Sequence, residues 1–324
     1  MILFLSLFAC SEPTKVAEPV SPQITDSVTI SQGELASFSS LPANFFKEGS
    51  VPSAELISLG ESLFNEKSLS ADGDISCASC HTLETGGVDN KQFSDGHRGA
   101  KTGRNSPTIL NAAGHTAQFW DGRAPDVESQ ALGPILAAGE MGMPNEAAVV
   151  KVLKSKPEYL SKFTAAFPGE KDPVTFKNVG VAIGAYERTL VTPSRWDKFL
   201  AGDQTALTDA EKQGFKDFSA AGCTACHGGQ LLGGQTFMKV GLATPWPNQT
   251  DLGKFSLTGQ ESDKMVFKVP SLRNSALTSP YFHDGSAKTL SEAVKMMGRH
   301  QLGKELTDEQ ATSISTWLGS TSGE

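Results

Sequence analysis

The 324-residue chain is short of positive charge. Its 28 Lys and Arg stand against 36 Asp and Glu, a formal net charge of −8. Phosphate backbones are gripped by clustered basic side chains, so this balance argues against a nucleic-acid partner and is compatible with steering a basic protein. Long apolar runs are also missing. The one apolar stretch, Met1 to Ala9, is too short to span a bilayer. Strand signals are few and brief. Tyrosine occurs three times and cysteine five. Four cysteines fall into two Cys-x-x-Cys-His runs and Cys10 stands alone, which leaves no pair for a structural disulfide.

The N-terminus reads as an address. The run ending Leu7-Phe8-Ala9-Cys10 resembles a bacterial lipoprotein signal, with Cys10 as the lipidated residue. It departs from that pattern in having no Lys or Arg before the apolar run and a bulky Phe8. The alternative is a plain secretory signal with an incidental cysteine. Both export the chain. Residues 11–44, rich in Ser, Pro, Thr and Glu, are expected to form a flexible tether that leaves membrane contact to the lipid alone.

Beyond the tether, helix signals dominate. Leu56, Leu59, Leu63 and Phe64 repeat at helical spacing over residues 54–66. Helices are also expected over residues 145–163, broken near Pro157, and over residues 176–190. Thr208 with Glu211, Thr289 with Glu292 and Thr307 with Gln310 form capping-box patterns ahead of apolar positions. Residues 107–124 align without gaps on residues 270–287, pairing Asn111 with Asn274 and Phe119-Trp120-Asp121-Gly122 with Phe282-His283-Asp284-Gly285. One copy follows each cysteine motif. The expectation is an all-α chain of two related domains with long loops, residues 45–190 and 191–324.

The chemistry lies in Cys77 to His81 and Cys223 to His227. Two cysteines three apart face one side of a helical turn, suited to thioether bonds with the two vinyl groups of one haem. The adjacent histidine then ligates the iron. A zinc site would require further ligand pairs, and a thioredoxin-like site a βαβ setting; neither is present. Two covalently bound haem c groups are the cofactors expected. Candidates for the sixth ligands are His97, His115, His283, His300, Met141, Met143, Met238, Met265, Met296 and Met297, and the residues alone do not choose among them.

Over residues 45–320 the chain resembles the bacterial di-haem cytochrome c peroxidase family. The segments that carry the likeness include residues 59–81, 96–112, 117–135, 140–146, 185–193, 222–229, 266–274, 279–290 and 296–303, all in the family's order. The resemblance implies two cytochrome c-like domains with their haems near a shared interface. It implies a periplasmic enzyme, usually a homodimer, that reduces hydrogen peroxide with electrons from a reduced cytochrome c or a small copper protein (a cupredoxin).

Residue by residue, the resemblance makes Cys77, Cys80 and His81 the peroxidatic haem site. His97 matches the distal histidine that blocks that iron at rest. Cys223, Cys226 and His227 match the electron-accepting haem, with Met297 as its axial ligand and Met296 as the near alternative. Glu140 matches a distal carboxylate for proton transfer, Gln130 a pocket amide that holds peroxide, and Trp120 an indole between the haems. Asn105, Thr278 and Pro280 match an interdomain calcium site, although no acidic cluster suggests one. Reduction of the C-terminal haem is implied to move the His97 loop off the N-terminal iron. Two rival readings remain. A pure electron-transfer cytochrome would have two six-coordinate haems and no use for Glu140. A maturation-type enzyme that oxidises a partner protein would carry tyrosine in place of the axial methionine, and no tyrosine lies near Met297.

Overall fold

In the computed structural model residues 27–323 are described. They form twelve α-helices, several 3₁₀ turns and one short antiparallel two-stranded sheet, Phe237–Lys239 with Val266–Lys268. Two helix pairs organise this all-α architecture. Ala54–Phe64 starts at Ser53, whose hydroxyl accepts from Leu56 N–H, and packs its Leu59, Leu63 and Phe64 face on Phe176–Glu187. Gly60 stands at that contact. A Cβ there would lie 1.9 Å from Ala182 O, so only glycine lets the backbones approach. The second half repeats the device. Asp209–Ala221 packs on Asp308–Gly319, and a Cβ on Gly214 would lie 2.1 Å from Ser313 O.

Each pair carries its own core. The first gathers Leu59, Leu63, Ile135, Val149, Phe163 and Ile183. The second gathers Trp196, Phe199, Phe215, Phe218, Ile314 and Trp317, with the Trp196, Phe215 and Trp317 rings 5.1–5.3 Å apart. The expected break at Pro157 is present: Glu146–Lys154 ends and Pro157–Ala166 begins with Pro157 in its first turn, where no intrahelical N–H is needed. The capping boxes at Thr208 and Thr307 form. At Thr289 only the hydroxyl half forms, because the Glu292 carboxylate accepts from Lys288 N–H instead. Val127–Leu136, capped by Asp126, was not expected; its Pro134 sits in the last turn, two residues before the helix ends.

The tether expected over residues 11–44 needs correction from residue 27 onward; residues 11–26 and Cys10 lie outside the described residues. Ile30 and Leu35 are buried in the second core, and Phe38 lies edge-on to Trp196 and Phe215. Ser37 O accepts from Gly229 N–H, and Leu41 N–H donates to Asp197 Oδ1 at 2.8 Å. The segment is a strap bound to the second half. Its apolar residues lack regular spacing because they fill gaps between distant elements instead of forming a helix face.

The duplicated segments are near copies in space. Asn111 and Asn274 both adopt a left-handed conformation, as do Phe119 and Phe282. The copies meet across the domain contact by reciprocal bonds: Asn105 N–H donates to His283 O and Lys268 N–H to Trp120 O, each at 2.8 Å. Both repeat asparagines donate to one hydroxyl, Thr192 Oγ1, at 2.9 and 2.8 Å. Thr192, next to the boundary expected between residues 190 and 191 and so in the linker of the halves, thus lies where they face each other.

Candidate active site

Cys77–Cys80 forms one helical turn, capped by Ser76, and His81 follows with its N–H on Cys77 O. His81 Nδ1 lies 3.2 Å from Gly87 O. A carbonyl only accepts, so Nδ1 carries the proton and Nε2 keeps its lone pair. His227 repeats this with Leu232 O at 3.1 Å. Desolvation holds both imidazoles below the usual histidine range, in the neutral form that ligates metal. Desolvation also pushes the Cys77 thiol up to about 12 and the Cys223 thiol to about 11. Redox and zinc cysteines are made acidic by their surroundings, and these are not. Among the described residues no three His, Cys, Asp or Glu side chains converge as a metal cluster.

The first motif opens onto a cavity of about 500 Å³. Cys77, Cys80, His81, Trp120, Gln130 and Glu140 all line it, as does Asn105. The residues fit haem c: two unpaired neutral thiols one turn apart, an imidazole with its ligating nitrogen free, and an adjoining cavity. Glu140 lines the same cavity as the motif, and desolvation raises its carboxyl above the usual range, with Arg123 opposing. Arg104 is clamped between Asp251, by two bonds of 2.6 and 2.8 Å, and Asp121 at 2.6 Å. That network joins the loop after His97 to the second half, and sequence spacing gave no sign of it.

His97 is not on the cavity wall. Its N–H donates to Glu140 O at 2.6 Å, its ring lies against Gly142, and its Nδ1 is 3.6 Å from Asp72 Oδ2. A Cβ on Gly96 would lie 2.0 Å from Gly139 O, so the two loops are in close backbone contact. Trp120 reaches both halves. Its Nε1–H donates to Asn105 O at 2.9 Å, and it packs with Trp246, Met265 and Phe267, the cluster that also takes in Met296 and Met297. Both methionines are half-buried, at the point where Leu290–Met297 passes into a π-turn, Gly298–Leu302. Such turns are frequent at functional sites.

Of the other histidine candidates, His300 and His115 are hydrogen-bonded through Nδ1, while the Nε2 atoms of His115 and His283 have no partner among the described residues. His300 Nδ1 faces the carbonyls of Thr244 and Pro245. His283 is stacked on Phe267 at 4.1 Å. His115 Nδ1 accepts from the buried Lys268 ammonium at 2.9 Å. Asn105 donates its amide to Lys91 O, which leaves its Oδ1 free, while Thr278 and Pro280 lie on a loop with a cis Ser279–Pro280 bond.

A family model described as di-haem cytochrome c peroxidase matches residues 54–205. The cytochrome c551 peroxidase of Nitrosomonas europaea is 44% identical over 273 residues, which cover 84% of this chain and 81% of that one. The chain belongs to the di-haem cytochrome c peroxidase family. The cytochrome c551 peroxidase of Pseudomonas aeruginosa is 46% identical, covering 82% and 78%. A crystal structure of a MauG-like protein associated with microbial copper homeostasis superposes with a TM-score of 0.76 at 32% identity, over 88% of this chain and 94% of that one. The family includes the methylamine utilization protein MauG of Methylorubrum extorquens, 36% identical over 83% of this chain and 77% of that one. Membership of the di-haem peroxidases accounts for two c-type haem motifs on two related helical halves.

Proposed function

We propose that this protein reduces hydrogen peroxide to water at its N-terminal haem, using two electrons that enter through its C-terminal haem. The observation that carries this is the single cavity on which the haem-binding motif, Glu140, Gln130 and Trp120 all open. When bound, haem supplies the iron that takes peroxide and the site that stores an electron. The chain does the rest. His81 would hold the haem iron through Nε2, with its ring fixed through Nδ1 on Gly87 O. Glu140 takes the proton from one peroxide oxygen and returns it to the other, a task that suits a carboxyl whose affinity for protons has been raised by burial. Gln130 orients the peroxide by hydrogen bonding. Two electrons and two protons balance the conversion of one peroxide to two waters.

The His97 loop serves as the gate. Its hold on Glu140 O and the Asp72 contacts to His97 and Arg98 give it one defined position off the cavity wall. A second position, with the ring over the iron, would close the site at rest. Met297 would hold the iron of the C-terminal haem through its thioether, and such ligation would raise that haem's potential, as an electron-accepting site requires. No tyrosine is among the described residues of the cluster that takes in Met296 and Met297. The donor is a reduced cytochrome c or cupredoxin. Exposed Met238 and Leu242 beside the π-turn give it an apolar landing near Met297, since Gln301 of that turn is bonded to Lys239 O. The resemblance further supports a homodimer in the periplasm, and the signal-like run ending at Cys10 supports a lipid there. It also supports one calcium ion between the halves, held by Asn105 Oδ1 and by Thr278 and Pro280. Metal analysis should find one calcium per chain, released by a chelator.

Peroxide turnover with reduced cytochrome c tests the main reading. Glu140→Ala should lose ~10²- to 10⁴-fold in turnover with both haems still attached. Comparing the oxidised with the one-electron-reduced enzyme reports on the His97 gate. A fully haem-loaded wild type that turns over in neither state with several donors would sink the peroxidase reading and favour an electron carrier.

A further inference from the structure

Glu187 is an acid that the mechanism above does not use. It closes the Phe176–Glu187 helix, is 4% exposed and lines the same cavity as Cys77 and His81. Its carboxyl is influenced by burial and by neighbouring charges, with no hydrogen bond from the described residues among the causes. The second half shows what this position holds when only packing is required. The Gly60 contact meets Ala182 O and Tyr186 Cβ, and the Gly214 contact meets Ser313 O and Trp317 Cβ. The helices therefore correspond as 182 to 313 and 186 to 317, which sets Glu187 against Leu318, a buried core residue. The first half thus has a carboxyl where the second has an apolar core side chain.

We propose that Glu187 couples the redox state of the N-terminal haem to a proton, being ionised while the iron is ferric and protonated when it is ferrous. This rests on the haem assignment, not on peroxidase activity. The step balances: one electron arrives from the donor, one proton arrives from solvent, and the net charge of the pocket is unchanged. Ferric haem carries one more positive charge than ferrous, so it favours the carboxylate. Removing that charge in a poorly hydrated wall favours the acid.

The surroundings fit this. Burial and the Glu128 charge raise the carboxyl to about 8, with Arg188 opposing. Glu128 and Arg188 are tied to each other by bonds of 2.7 and 2.9 Å, so neither neutralises Glu187. Tyr186 and Glu61 are the other titratable neighbours on the packed helix pair. Glu140, Arg104 and Arg123 face the same cavity, and Cys77 no longer titrates once it is a thioether.

Spectroelectrochemical titration of each haem in the holoprotein between pH 6 and 9 tests the proposal. In the wild type the N-terminal haem potential should fall with rising pH, approaching about 59 mV per pH unit, the value for one electron and one tenfold step in proton activity. Glu187→Gln should flatten that slope and leave the C-terminal haem, whose half has Leu318, as it was. Glu187→Leu copies the second half and serves if the Gln variant loads haem poorly. A flat wild-type N-terminal titration, or a slope that survives in either variant, overturns the proposal. Both outcomes are readable whether or not the enzyme reduces peroxide.

Discussion

Two carboxyls share one cavity, and each is desolvated. Glu140 is half-buried on a loop, whereas Glu187 is on a helix with its carboxyl walled in. For Glu187 the consequence extends to stability. Its folded value of about 8 lies above the usual carboxylate range near 4.3. Between those values, in the absence of the ferric charge, the folded chain holds a proton that the unfolded chain releases. The contribution is therefore fully present below about pH 4.3 and is lost as pH rises through 8, by at most about 1.4 kcal/mol per pH unit. Glu187→Gln removes that dependence. Urea midpoints of the haem-loaded protein, with its iron held ferrous by reductant, should show the variant gaining on the wild type between pH 5 and pH 9. An equal gap at both pH values would mean that the carboxyl is hydrated in the folded state. The haem cysteines and histidines were legible in the sequence because covalent attachment fixes residue types and spacing together. Glu187 was not, because an acid at a helix end reads by default as a solvated side chain. Glu140, Gln130 and Trp120 were named through resemblance, and only the fold puts them on one wall with Cys77 and His81.

At the scale of elements, periodicity and capping found most of the helices, since both are local properties. It could not show which helices touch. Gly60 and Gly214 look like weak points within their helices, yet each is where a partner backbone comes closest. Gly214→Ala should cost about 1–3 kcal/mol or more, because the added methyl meets a carbonyl that cannot turn aside. Gly319→Ala is the control. It lies in the partner helix with nothing within 4 Å of an added Cβ, and should be neutral or slightly stabilising. Denaturant unfolding followed at the C-terminal haem distinguishes them; equal effects would show that the contact tolerates a side chain. The strap of residues 27–44 escaped the sequence for the same reason. Ile30, Leu35 and Phe38 have no period of their own, and their partners are more than 150 residues away at Trp196 and Phe215.

For the whole molecule, the duplication visible in the sequence becomes a physical joint. Asn111 and Asn274 occupy matching places in the two copies, both fully buried, and both amides end on Thr192 Oγ1. Thr192 N–H in turn donates to Asn111 Oδ1, and Gly323 N–H to Asn274 Oδ1. One hydroxyl in the linker thus satisfies a donor from each half. Thr192→Val keeps the shape and removes the acceptor, leaving two buried N–H groups unpaired. Each costs about 1–3 kcal/mol, so a loss of ~2–6 kcal/mol is expected. Because the donors belong to different halves, the loss should appear in both. Thr192→Ser retains the acceptor and should recover most of it. Calorimetry of the holoprotein, with each haem followed by its own absorption, makes the comparison. If the valine variant lowered the transition of one half and left the other in place, the halves would be joined elsewhere, through the Arg104–Asp251 pair or the reciprocal backbone bonds at Trp120 and His283. A shared shift would mean that the contact across which electrons must pass is held at the centre of the duplication, by a residue belonging to neither repeat.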